Sequence, residues 1–372
     1  MAKIKAIIAG GGTGGHLYPG IAVAEELQHR YGLHKEDIVF VGTEHGIEAR
    51  VLPREGYPVE FLKVEGMVGK SLLKKIKALV TFFLSIFRSR KIIMNVRPDI
   101  VIGVGGYASA GMVFAARLMG KPTMILEQNS VPGLSNRLLG KFVDAISVTY
   151  QESIASFPAE KTFLTGNPIR RNILFSDGEK ARRVFPLQKG RLTVFIFGGS
   201  SGARSINNAI VDALHYLLDL RQNIQFLHQT GERDFEAVKD AYRKLGFNGI
   251  VVPFIYQMAE AYSIADIIVC RAGATTLSEI TSLGKPAILI PYPYAAANHQ
   301  EHNARKLQDM KAARLIPERG LTGESLAGTI RELYENAPLR REMQKAASAF
   351  GKVDASEKVA DIAWSLMKRE QK

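Results

Sequence analysis

Cysteine and tryptophan occur once each in this chain. An internal disulfide is therefore excluded. Cys270, in a run with Ile267, Ile268 and Val269, reads as a small core residue of a protein that works in a reducing cytoplasm. Cys-x-x-Cys pairs, His-Glu-x-x-His and Asp-x-Asp are all missing, so a dedicated divalent-metal site has no sequence support and no cofactor is expected. No apolar run approaches the ~20 residues that a membrane-spanning helix needs. Lysines precede a short apolar run at the N-terminus, but Ala6 to Ala9 is too short for a secretory signal and ends in glycines, so Lys3 to Ala9 reads as a first strand.

The apolar fraction of 46% and the charged fraction of 23% are those of a soluble globular protein, and 372 residues suffice for two domains. Basic residues number 49 against 36 acidic, and the net charge of +13 asks for an anionic partner: nucleic acid, a membrane surface or a phosphorylated substrate.

Chemistry concentrates first in Val269 to Ala304. A buried strand ends at Cys270, Arg271-Ala272-Gly273-Ala274 turns into a helix opening near Thr275, and Gly284 is placed to end that helix as a left-handed cap before Lys285-Pro286. Ala287 to Pro291 is the next strand. Unpaired N–H groups and the dipole of such a helix start suit a diphosphate, and Glu279, about one turn further in, suits the two hydroxyls of a ribose. Asn298-His299-Gln300 emerges at the same carboxyl edge of the sheet, where open α/β sheets bind ligands.

The first half runs strand, then Gly10-Gly11-Gly12-Thr13-Gly14-Gly15-His16, then a helix from Pro19 to about Arg30. The glycines satisfy G-x-G-x-x-G. The second strand, Ile38 to Val41, ends in Gly42-Thr43 rather than in an acidic residue, which argues against a nicotinamide enzyme. His16 is the side chain in that loop able to exchange protons near neutral pH. A second loop, Gly103 to Ser109, follows strand Asp99 to Ile102, and a third, Glu127-Gln128-Asn129, follows Thr123 to Leu126 and leads into a helix with Asn136 and Arg137.

Between these loops, in the segment from Lys70 to Ile93, the residues Leu72, Ile76, Leu79, Val80, Phe83, Leu84 and Phe87 recur at helical spacing, flanked by Lys70, Lys74, Lys75, Lys77, Arg88, Arg90 and Lys91. Two readings stand: an ordinary crossover helix, or a helix that also docks on an anionic membrane surface.

Periodicity weakens at Thr165 to Arg171, the best candidate for a hinge, and the pattern restarts with strand Leu192 to Phe197, the loop Gly198 to Ala203 and a helix Ser205 to Leu220. The expected architecture is α/β, with two doubly wound Rossmann-like domains facing across a cleft: residues 1–165, residues 166–350, and a C-terminal helix in 351–372, carrying Trp364, that packs back on the first domain.

Seven segments, in order, resemble one family: GGTGGHLYPG (11–20), GGYAS (105–109), EQNSVPGLSNR (127–137), GNPIR (166–170), GGSSGARSIN (198–207), CRAGATTLSE (270–279) and NHQEHNA (298–304). They are similar to the motifs of the MurG family, bacterial peptidoglycan transferases that move N-acetylglucosamine from UDP-N-acetylglucosamine to undecaprenyl-diphospho-muramoyl-pentapeptide. The resemblance implies a GT-B fold, inverting transfer without a metal, and a monotopic protein on the cytoplasmic face of the membrane. It implies donor contacts at Thr13, Gly14, Gly15, Asn129, Arg170, Ser200, Ile255, Ala274, Thr275, Thr276, Leu277, Ser278, Glu279 and Gln300, with Ile255 meeting the uracil through its backbone. Gly105, Tyr107 and Asn136 would face the acceptor. On chemical grounds the departing UDP needs the helix start near Ala274, the Ser200 loop and Arg170, while the acceptor hydroxyl needs a base, His16 or, second, Glu127.

Three rivals share parts of this pattern: an epimerase acting on UDP-N-acetylglucosamine, a UDP-hexose transferase acting on diacylglycerol, and a nucleotide- or RNA-binding protein. The apolar, basic segment at 70–93 disfavours the first. Glu279 with the Asn298-His299-Gln300 cluster disfavours the last, so no nucleic-acid partner is expected.

Overall fold

The computed structural model describes residues 4–62 and 72–369. The chain forms two compact units, one comprising residues up to Arg170 together with those from Asp354 onward, the other Arg171–Val353. Unit 1 contains β1 (Ala6–Gly10), α1 (Gly14–Tyr31), β2 (Ile38–Gly42), α2 (Glu48–Glu55), β3 (Val59–Phe61), α3 (Leu72–Val96), β4 (Ile100–Gly105), α4 (Tyr107–Leu118), β5 (Thr123–Glu127), α5 (Leu134–Leu139), β6 (Ala145–Val148) and β7 (Thr162–Leu164). Unit 2 contains α6 (Arg171–Leu174), α7 (Gly178–Val184), β8 (Leu192–Phe197), α8 (Arg204–Tyr216), β9 (Ile224–Gln229), α9 (Phe235–Leu245), β10 (Gly249–Val252), α10 (Met258–Ile264), β11 (Ile267–Cys270), α11 (Ala274–Ser282), β12 (Ala287–Leu289), α12 (His299–Asp309), β13 (Ala313–Leu315), α13 (Gly323–Glu335) and α14 (Ala337–Phe350); α15 (Ala355–Arg369) returns to unit 1.

Each unit holds one parallel sheet, ordered β3-β2-β1-β4-β5-β6-β7 and β10-β9-β8-β11-β12-β13. Every residue of β1, β2, β4 and β5 is buried, as unbroken apolar runs must be when helices cover both faces. Strand order reverses between β1 and β4 in one sheet and between β8 and β11 in the other. Those are the topological switch points, where ligands of doubly wound sheets bind at the carboxyl ends.

Local differences from the sequence expectation have physical causes. α1 begins at Gly14, five residues before Pro19, because Thr13 is extended and its carbonyl accepts from both His16 and Leu17 amides at 3.2 Å. Pro19 then lies inside the helix, where its ring already has a helical φ and removes one amide donor. Of the first expected strand, Lys3 lies outside the described residues.

From Thr81 onward, α3 turns a different face inward than its apolar stripe suggested; the side chains of Leu72, Ile76, Leu79 and Val80 lie outside what the structure describes. Ser85, Ser89 and Ile93 are buried, while Phe83, Leu84 and Phe87 are exposed, Phe87 at 70%. The cause is a close crossing with α4: a Cβ on Gly111 would lie 2.3 Å from Ser85 Oγ, so only small residues fit between these helices. Lys70 and Ser71 of this segment lie outside the described residues. Among the described residues no helix is long and apolar enough to cross a membrane.

α15 lies on α1. Trp364 stacks on Tyr31 with ring centroids 4.5 Å apart, Arg30 pairs with Glu357 and Asp361, and Ser356 Oγ both accepts from Ile169 N (2.9 Å) and donates to Ile169 O (2.8 Å).

Candidate functional site

At the switch point of unit 1, two glycine loops press together. Ala9 pairs with Gly103 and Gly10 with Gly105, the register slipping by one residue between them. A Cβ on Gly10 would lie 2.3 Å from the Gly105 carbonyl, and one on Gly106 2.8 Å from that of Gly11. His16 sits in this junction. Its Nδ1 is 3.3 Å from the Gly11 carbonyl, and a Cβ on Gly105, at φ +101°, would strike the imidazole Cδ2 at 2.6 Å. Gly105 thus makes room for His16, and Tyr107 starts α4 two residues on. Thr13 and Gly15 are exposed beside it, and Gly14 is half-buried.

Behind the loop lies a carboxylate that sequence reasoning missed. Glu48, the first residue of α2, is fully buried; Oε2 accepts from Gly12 N at 2.8 Å, and Oε1 from Thr43 N at 2.7 Å and Thr43 Oγ1 at 2.8 Å.

The third loop is organised by Glu127, buried at 3% exposure. Oε1 accepts from Asn129 N (3.0 Å) and Asn129 Nδ2 (3.4 Å), Oε2 from Gly133 N (3.0 Å) and Asn136 Nδ2 (2.9 Å). Asn136 also donates to the Leu126 carbonyl, and Gln128 to that of Val104, joining this loop to the second. With four N–H donors on its oxygens, Glu127 is the centre of a rigid turn that presents Asn129. Arg170 is buried at 6% exposure with its guanidinium 4.0 Å from the Tyr18 ring centroid, a cation on a π face.

In unit 2 the loop after β8 is held open toward solvent. Gly199 has φ +101°, Ser200 and Ser201 are exposed, and a Cβ on Gly199 would meet no atom within 4 Å. The buried Gln229 donates to Gly199 O at 2.9 Å and accepts from Ile255 N at 2.8 Å, so one amide fixes both the Ser200 loop and the Ile255 backbone. Beneath it, His228 Nε2 is 3.1 Å from Asn207 Oδ1, and Asn207 Nδ2 donates to Thr230 O and Asp234 Oδ2, each at 2.9 Å. Burial lowers the His228 pKa to about 3, so its imidazole is neutral.

α11 starts at the second switch point. Gly273 is its extended N-cap, and a Cβ there would again meet nothing within 4 Å, leaving the helix start accessible. Ala274, Thr275 and Leu277 are buried, with Leu277 wholly in the core, while Thr276 and Ser278 are half-exposed. Glu279 is buried, not an exposed helix residue, and Tyr262 Oη donates to its Oε2 at 2.7 Å. Gly284, at φ +60°, follows as the left-handed residue expected there.

Arg271 braces this edge. It donates to the carbonyls of Ile290 (3.1 Å) and Pro291 (3.2 Å), to Ser205 Oγ (2.9 Å) and to Glu318 (2.5 Å). Burial raises the pKa of Glu318, but the Arg271 and Ser205 bonds outweigh it and hold the carboxyl below its usual range. At the start of α12, Gln300 Oε1 accepts from Tyr292 N at 2.9 Å, while His299 Nδ1 lies 2.7 Å from the Ala296 carbonyl.

Glu48, Gln229, Tyr262 and Arg271 escaped the sequence reading. The signal for Arg271 was its place directly after a strand; for the others it was only a polar residue among apolar or glycine neighbours.

Residues 6–148 match the glycosyltransferase family 28 N-terminal domain and residues 193–359 its C-terminal domain. The UDP-N-acetylglucosamine--N-acetylmuramyl-(pentapeptide) pyrophosphoryl-undecaprenol N-acetylglucosamine transferase of Thermodesulfovibrio yellowstonii is 52% identical over 368 residues, 99% of this chain and 100% of its own. The enzyme of that name from Myxococcus xanthus is 48% identical over 364 residues, covering 98% of this chain and 93% of its own. Among solved structures, MurG of Acinetobacter baumannii superposes with a TM-score of 0.70 at 30% identity, over 97% of this chain and 99% of that one. UDP-GlcNAc 2-epimerase from Neisseria meningitidis, bound to UDP-GlcNAc, shares the fold alone, with a TM-score of 0.68 at 15% identity over 96% and 99% of the two chains. With both family domains matched in order and about half of its residues identical to those of a full-length transferase, the chain belongs to glycosyltransferase family 28 and, within it, to the MurG family.

Proposed function

We propose that this protein transfers N-acetylglucosamine from UDP-N-acetylglucosamine to undecaprenyl-diphospho-N-acetylmuramoyl-pentapeptide, with inversion at the anomeric carbon. The observation that carries the reading is 52% identity to a transferase of that name across 99% of the chain. The geometry supplies chemistry for it.

In one displacement, the acceptor hydroxyl loses its proton to His16 as its oxygen bonds to the anomeric carbon, and the bond to the UDP phosphate oxygen breaks on the opposite face. The diphosphate gathers charge as it leaves. The accessible start of α11, the Ser200 loop and the Arg170 guanidinium are the groups that stabilise it. Glu279 takes the ribose hydroxyls and the Ile255 backbone the uracil, while Gln300, Asn129, Thr13, Gly14 and Gly15 make further donor contacts. Gly105, Tyr107 and Asn136 face the acceptor, with Glu127 setting the turn that carries Asn129 and Asn136.

The acceptor is a lipid, and the reading includes a peripheral place on the cytoplasmic face of the membrane, reached through α3. Its exposed Phe83, Leu84 and Phe87, followed by the exposed Arg88, Arg90 and Lys91, support this, as apolar side chains next to cations suit an anionic lipid surface. Nucleic acid has no part in it.

The test is UDP release from purified protein given UDP-N-acetylglucosamine or UDP-glucose, with and without lipid-linked muramoyl-pentapeptide. Release that requires both the N-acetylated donor and the lipid is expected. Consumption of donor without acceptor would instead favour the epimerase reading.

A further inference from the structure

We propose that Glu48 is a positioning residue for the transfer: an internal carboxylate that occupies the anion site of the first glycine loop and so fixes the backbone against which His16 is held. The inference rests on the function proposed above.

A glycine loop running into a helix offers N–H groups to an anion, ordinarily a phosphate. Here the Gly12 amide is already given to Glu48 Oε2 at 2.8 Å, although Gly12 itself is exposed. The carboxylate stands where side chains would otherwise be. A Cβ on Gly11 would lie 2.4 Å from Glu48 Cδ, one on Gly42 2.4 Å from its Cγ, and one on Gly46 2.2 Å from Oε2. Three glycines, one in the first loop and two at and just after the end of β2, are thus packed around a single buried side chain. The other oxygen is pinned by the Thr43 amide and hydroxyl at the end of β2, so the carboxylate ties the first loop to the neighbouring strand.

The Gly11 carbonyl, on the residue that Glu48 backs, is the group 3.3 Å from His16 Nδ1. A shift of Gly11 or Gly12 is therefore passed to the imidazole. Placement of a base to within fractions of an ångström governs turnover far more than it governs nucleotide affinity.

Glu48→Gln keeps the volume but sets an N–H donor against an N–H donor, at Gly12 or at Thr43. Glu48→Ala leaves room for a small carboxylate. With wild-type transfer established, we expect Glu48→Gln to lower kcat at least 30-fold with the donor KM within twofold. Glu48→Ala should fall as far and regain several-fold in saturating formate but not in chloride at equal ionic strength. A kcat for Glu48→Gln within threefold of wild type would overturn the proposal, as would a soluble Glu48→Ala indifferent to formate, or a donor KM that rises in step with the loss. Should both variants fail to fold, Thr43→Val decides, since it removes only the hydroxyl bond: a kcat three- to tenfold lower supports the role, and a wild-type kcat overturns it. An inactive wild type would instead sink the proposed reaction, before any variant is compared.

Discussion

The glycine loop of unit 1, Gly10–Gly15, and the glycine loop of unit 2, Gly198–Ala203, occupy the same place in their sheets, after the strand at the switch point. They are filled differently. The first surrounds the buried Glu48 carboxylate, which takes the Gly12 amide, whereas the second is tied by the neutral amide of Gln229 through a carbonyl, with Ser200 and Ser201 left facing solvent. A loop whose amide is spent on its own carboxylate is suited to holding side chains, here His16. A loop whose backbone stays open, next to the start of α11 where a Cβ on Gly273 would meet nothing within 4 Å, is suited to receiving phosphate. In the function proposed above, the two halves of the chain share a scaffold and divide the chemistry, the first supplying the base and the second most of the groups that hold the leaving diphosphate.

The sharpest way to break that division is at His16. His16→Ala should lower turnover by about 10²-fold or more while leaving UDP affinity nearly intact, because a general base contributes on that order to rate and not to nucleotide binding. Steady-state kinetics with calorimetry on UDP separates the two, and an unchanged kcat would remove His16 from the role. The complementary change is Glu279→Ala, expected to weaken UDP binding by roughly 10- to 100-fold, since hydrogen bonds to a charged group contribute about 1.5–3 kcal/mol. Tyr262→Phe, which takes away only the hydroxyl on Glu279, should weaken it less. Equal losses from the two variants would mean that Glu279 serves its own helix and not the ribose.

The division was half legible in the sequence. The central strands read clearly because fully covered parallel strands are unbroken apolar runs: Leu192–Phe197 was bounded as observed and Ile38–Val41 came within one residue. Helix starts were harder where glycines are themselves helical, as at Gly14 and Gly15, since composition there says loop while the Thr13 carbonyl already organises a turn. Glu48 was invisible because its partners are backbone amides 36 and 5 residues away, and a carboxylate among glycines has no periodicity. Gln229 is of the same kind: a polar residue ending a buried strand gains meaning only when Gly199 and Ile255 are seen on either side of it. On α3 hydropathy marked the apolar side chains correctly but could not say that Ser85 and Gly111 would let two helices approach and turn those side chains outward.

That outward face extends the comparison to surfaces, since in the reading proposed here unit 1 meets the lipid. Replacing Phe83 and Phe87 together by Ser should reduce binding to phosphatidylglycerol vesicles by roughly tenfold or more, given about 1.5–3 kcal/mol for each ring fully buried and only partial burial at an interface. Raising the salt concentration should weaken wild-type binding further, as the cations beside them are screened. Co-sedimentation measures both. Binding that survives the substitution would detach α3 from the membrane.

The smallest effect concerns the brace under the Ser200 loop of unit 2, and it is read by pH. Asn207 Nδ2 donates to Thr230 and Asp234, so its Oδ1 is the acceptor for His228 Nε2, which must carry the proton; Nδ1 is then left to accept from Tyr242 Oη at 3.3 Å. A second proton would put a charge into the core, and burial accordingly lowers the pKa from 6.5 to about 3. An unfolded chain binds that proton more readily than the folded one. The stabilisation from a neutral His228 is therefore complete above pH 6.5 and is lost as the pH falls toward 3, at about 1.4 kcal/mol per pH unit. Between pH 6.5 and about 5 ordinary carboxylates have scarcely begun to titrate, so a loss of about 2 kcal/mol in denaturant unfolding over that window belongs to histidine. His228→Gln should flatten it. A slope that persists in that variant would place the acid sensitivity elsewhere than at His228.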